Sequence, residues 1–98
     1  VQTCALPICR AAPGRFGAHQ FQEHMKDTLV YCAWFAGGLR IVDIADPSAP
    51  QEVGWFIPEP AKGKVAPQTN DVDVDDRGLV YIVDRYSGFD ILEFNRPK

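Results

Sequence analysis

The apolar residues of this chain gather in short β-rich runs separated by turn-forming clusters. LVYCAWF, at 29–35, is apolar at nearly every position, a pattern that an antiparallel strand needs only when both of its faces are covered. NDVDV, at 70–74, alternates instead: Val72 and Val74 point to one face and Asp71 and Asp73 to the other. Four strands are predicted first, near 19–25 and over 28–35, 39–44 and 51–57, and three more follow from residue 70 onward. Lys26-Asp27, Gly37-Gly38, DPSAP at 46–50 and DDRG at 75–78 supply turns between them. PEPAKGKVAPQ, at 58–68, carries three prolines in eleven residues and reads as a connecting loop between the two groups of strands.

A repeat lies beneath this pattern. TLVYCAWFAGGLRIVDIADP and GLVYIVDRYSGFDILEFNRP align without a gap at an offset of 50, with six identities over positions 29–47: Leu29, Val30, Tyr31, Gly38, Ile41 and Pro47 meet Leu79, Val80, Tyr81, Gly88, Ile91 and Pro97. Each copy reads as strand, turn, strand and turn, and extension in both directions gives a four-stranded unit of which the second copy has three strands. Four antiparallel strands recurring at roughly 40–50 residues mark a β-propeller. GLRIVDIADPSAP and GLVYIVDRYSGFDILEF then place the family: the chain resembles the LVIVD-repeat proteins, whose blades carry a strand like LRIVDI followed by DPSxP and a polar strand. The resemblance spans about residues 17–94. It implies an all-β fold of four-stranded antiparallel β-propeller blades, just under two of them, with a blade at about 17–57, a linker at 58–68 and a partial blade at 69–98. Because propellers close with roughly four to eight blades, residues 9–98 are expected to be the C-terminal piece of a longer propeller. The resemblance implies little about activity, since members are mostly known as propellers of unassigned function.

Residues 1–8, VQTCALPI, stand outside this frame. They resemble, residue for residue, the translation of a widely used sequencing-library adapter, and are expected to be an artefact that makes no specific contacts. Cys4 and Cys9, at C-x4-C spacing with no second pair, then carry no metal or disulfide signal. Cys32, in an apolar run, is expected to be a buried, inert thiol.

Charge narrows the partners. The formal charge of −3 sits in the last third of the chain, where seven acids face four bases from Thr69 onward, while the earlier part balances at six and six. Without a basic stripe, nucleic-acid binding is disfavoured. No apolar run approaches the roughly 18–20 residues of a membrane span.

Candidate chemistry is sparse. No nucleophile elbow, Gly-rich phosphate loop, HExxH helix or Ser-His-Asp set is present. NDVDVDDRG invites a calcium reading, but Asp76 and Ile82 stand where an EF-hand loop wants Gly and Glu, and the plainer account is a strand followed by a turn. His19, Glu23 and His24 are the candidate ligands for a divalent transition metal, although on a regular strand His24 faces away from the other two. Since the innermost strand of a blade lines the propeller channel, Asn70, Asp71 and Arg85 are candidate channel residues. Arg85 could bind an anion, but pairing with Asp84 or Asp90 is the expectation. Trp34, Trp55 and Phe56 are expected in the inter-blade core, Ile41 and Ile91 are both expected to be buried, and Asp43 and Glu93 to accept turn amides. Two function classes follow. The favoured one is a non-catalytic propeller acting as a binding or scaffold module for a protein or small-molecule partner, without a cofactor. The alternative is a metal-dependent propeller enzyme with His19 and His24 in one ligand cluster.

Overall fold

The computed structural model describes residues 14–95. The adapter-like residues 1–8, Cys9, and Pro97 of the repeat lie outside the described residues. Seven strands follow one another with no helix among the described residues: β1 (Phe16–Phe21), β2 (Leu29–Phe35), β3 (Leu39–Asp43), β4 (Gln51–Phe56), β5 (Thr69–Val74), β6 (Leu79–Asp84) and β7 (Gly88–Glu93). All pairings are antiparallel, and they join the strands into one sheet in the order β4-β3-β2-β5-β6-β7, with β1 also on β2. β2 meets β5 only at Phe35 and Thr69. The sheet is therefore two units, β1–β4 and β5–β7, joined at one point and curled so that they face each other, as neighbouring propeller blades do.

The offset of 50 reproduces the register: Tyr31 pairs with Ile41 and Tyr81 with Ile91, and Leu29 pairs with Asp43 and Leu79 with Glu93. Gly38, just before β3, and Gly88, the first residue of β7, have φ of 70° and 97°, a region open to glycine and costly for other residues. Leu29, Tyr31, Ala33, Leu39 and Ile41 of the first unit meet Val72, Val80 and Ile82 of the second in a single core. Val53, Val74, Leu92 and Phe94 pack against it. A Cβ on Gly54 would come 2.5 Å from Cε1 of Phe94, so the ring takes the space that glycine leaves open.

Three expectations are corrected. β1 ends at Phe21 rather than near residue 25, because the buried Gln22 replaces ladder bonds with its side chain: Nε2 donates to the Leu29 carbonyl at 3.2 Å and Oε1 accepts from the Tyr31 amide at 2.7 Å. Ile41 is 2% exposed, whereas Ile91 is 53% exposed, because the face of the second unit that carries Ile91 is turned away from the first. The aromatic residues are not in the inter-unit core. Trp34 lies on the face opposite to Ile41, Trp55 is 55% exposed with the Arg40 guanidinium 5.8 Å from its ring centre, and Phe56 is exposed. Arg40 itself is buried, with Nη1 donating to Glu52 at 3.0 Å and Nε to the Gly37 carbonyl at 2.9 Å. Cys32 is free and buried, as its run predicted, and burial raises its thiol pKa against the opposing pull of hydrogen bonds at His19 and Gln20.

The β5–β6 turn is held by one carboxylate. Asp75 accepts from the amides of Arg77 and Leu79 through Oδ1, at 2.9 and 3.0 Å, and from Arg77 Nη2 and the Tyr81 hydroxyl through Oδ2, both at 2.8 Å. Desolvation opposes its ionisation, but the bonds from Arg77, Tyr81 and the two amides outweigh it and hold its pKa well below the usual carboxylate range. Because the folded value is depressed, this contribution to stability is complete above the unfolded value of about 3.9 and is lost as pH falls toward the folded one. Denaturant unfolding at pH 6 and pH 3 should therefore show a smaller loss on acidification for Asp75→Asn than for the parent chain. Equal losses would remove Asp75 from the account.

Candidate functional site

β1, β2 and β5 converge at Phe35, the last residue of β2. The chain turns sharply there: the Trp34 amide donates to the Gly38 carbonyl at 2.8 Å, the Gly38 amide to the Phe35 carbonyl at 3.0 Å, and the Ala36 amide to the Arg15 carbonyl at 2.9 Å. Phe35 has φ of 50° and is the one non-glycine residue with positive φ among the described residues. A bulky residue in that region is strained by roughly 1–2 kcal/mol.

What surrounds the ring offsets this. Phe35 is 8% exposed. The His19 ring lies 4.5 Å from it, and the guanidinium carbons of Arg15 and Arg85 stand 5.4 and 5.5 Å from its centre, within cation–π range. Arg85 Nε donates to Asn70 Oδ1 at 2.7 Å. Neither Arg15 nor Arg85 forms a salt bridge among the described residues. Two guanidinium groups on one ring, in an acidic chain, leave donors in a fork geometry suited to carboxylate or phosphate oxygens. Three buried polar atoms without a partner lie at or near this turn: Trp34 Nε1, Arg40 Nη2 and Thr69 Oγ1, the last on the residue paired with Phe35.

Of the sequence-derived candidates, His19, Asn70 and Arg85 come together here. Arg85 does not pair with Asp84 or Asp90, because Asp84 is engaged by the amides of Gln68, Tyr86 and Ser87 at 2.6, 2.8 and 3.2 Å. Asp71 accepts from the adjacent Val72 amide at 2.8 Å. Glu23 and His24 lie beyond the end of β1, 4.0 Å apart and highly exposed, while His19 is on Phe35. No group of three His, Cys, Asp or Glu side chains placed to hold a metal is gathered among the described residues. Phe35 and Arg15 were missed: an apolar residue at the end of an apolar run gives no sign of left-handed backbone, and Arg15 stands before a strand whose start the pattern did not mark.

Neither a curated protein nor a solved structure matches the chain. Residues 26–57 match the family model described as the LVIVD repeat. That span takes in β2, β3 and β4 and the turns between them, so the first unit of this propeller-like chain carries an LVIVD repeat.

Proposed function

We propose that the chain is a non-catalytic binding module of the propeller type, which receives an anionic group of a protein or small-molecule partner at Phe35. The observation that carries this reading is the pair of guanidinium groups on the Phe35 ring with no carboxylate partner among the described residues. The strained backbone of Phe35 supports it, since such conformations cluster at ligand sites. Asn70 and His19 complete the surface, one holding Arg85 in place and the other covering the ring.

Titration of the labelled chain with succinate and with inorganic phosphate, at constant ionic strength, tests it. Saturable amide shifts are expected at Phe35, Asn70 and Arg85. Charge-assisted bonds contribute about 1.5–3 kcal/mol each, so the Arg15→Ala/Arg85→Ala variant should bind at least roughly tenfold more weakly. Unsaturable shifts, or equal affinity in the variant, would sink the reading. The metal-dependent alternative rests on His19 and His24 as one ligand cluster with Glu23, of which His24 and Glu23 lie 4.0 Å apart and His19 lies on Phe35; stoichiometric zinc or copper in the purified chain, lost in His19→Ala/His24→Ala, would replace the present proposal.

A further inference from the structure

Each unit has two faces, and residues 50 apart share one. The first face carries Leu29, Tyr31 and Ile41 in one unit and Leu79, Tyr81 and Ile91 in the other. The second face carries Val30, Cys32 and Val42 in one unit and Val80, Ile82 and Leu92 in the other. The core arises by pressing the first face of the first unit onto the second face of the second. One copy of each face is left uncovered. The first face of the second unit exposes Val83, Ile91 and Phe89, the last at 66%. The second face of the first unit forms an open apolar groove of about 700 Å³, lined by Phe21, Met25, Val30, Trp34, Val42 and Ile44.

We propose that these two surfaces bind each other between copies of the chain: Phe89 and Ile91 of one copy dock into the Phe21–Val42 groove of the next. The occupant follows from the repeat. Val30, Cys32, Val42 and Ile44 of the groove stand at the repeat positions of Val80, Ile82, Leu92 and Phe94, and Phe89 and Ile91 at those of Leu39 and Ile41, which meet in the internal contact, so a second copy presents to each open face the counterpart that this contact selects. The contact is heterologous, so it propagates until a ring closes or a filament grows. The inference rests on the packing faces and is independent of the anion reading at Phe35.

Sedimentation of the 98-residue chain from micromolar to millimolar concentration tests it with two blocked variants. Phe89→Arg/Ile91→Glu disables one surface and Phe21→Glu the other, both at exposed positions, with Met25→Glu in reserve should Phe21→Glu lose its β circular-dichroism signal. The parent chain should gain mass with concentration, each variant should weaken self-association by about a hundredfold, and an equimolar mixture of the two should form a heterodimer and nothing larger. A folded parent that stays monomeric overturns the proposal. So do variants that associate as readily as the parent, or a mixture that does not associate.

Discussion

Gly38→Ala is expected to destabilise the chain by about 2–5 kcal/mol, enough to unfold a domain of this size whose whole stability is of order 5 kcal/mol. Two effects coincide at this position. The backbone has φ of 70°, where a Cβ costs roughly 1–2 kcal/mol. The Cβ would also run into the Phe56 carbonyl oxygen and come 2.8 Å from the Ile57 Cα. Both are backbone atoms at the end of β4, which cannot rotate away as a side-chain tip could, so β3 and β4 would have to separate. Gly88→Ala is the internal control: its φ is 97°, but nothing lies within 4 Å of the added Cβ, so only the conformational cost applies. Denaturant midpoints of the two variants should differ with Gly38→Ala far the lower. Equal midpoints would mean that the β3–β4 approach does not constrain the fold.

The repeat explains why so much of the fold was legible. Strands β2 to β7 fall within a residue or two of where the apolar runs placed them, because each run is bounded by turn residues whose backbone needs are local. Asp43 accepts the Ala45 amide at 2.9 Å, a turn role that its match with Glu93 suggested. β1 was misplaced because its end is set by the Gln22 side chain reaching residues 7 and 9 positions away, and a long-range hydrogen bond leaves no periodicity. The candidate site was legible in part. Polar residues on the innermost strands, His19 and Asn70, could be named from the architecture that the resemblance implies. The feature that organises them, a phenylalanine in left-handed backbone, could not, because its neighbours Arg15 and Arg85 are brought to it only by the meeting of β1, β2 and β5.

Ile41 and Ile91 give the sharpest test of how the two units use one pattern. They are the same residue at the same repeat position, each paired with a tyrosine on the preceding strand, and sequence alone assigns them one fate. Ile41 lies in the closed interface and Ile91 on the open face. Truncating a buried isoleucine to alanine costs about 2–5 kcal/mol, part from lost transfer energy and part from the cavity left behind. At a position that is half exposed the transfer term shrinks and no cavity forms, so the cost falls to within about 1 kcal/mol. At low micromolar concentration Ile41→Ala should therefore lower the unfolding midpoint strongly while Ile91→Ala leaves it nearly unchanged. As the concentration rises, copies should dock, and Ile91→Ala should begin to cost stability because its face is then covered, whereas the Ile41→Ala deficit should hold steady. A concentration-independent effect at Ile91 would separate the repeat, which specifies two faces per unit, from the head-to-tail contact proposed to cover them.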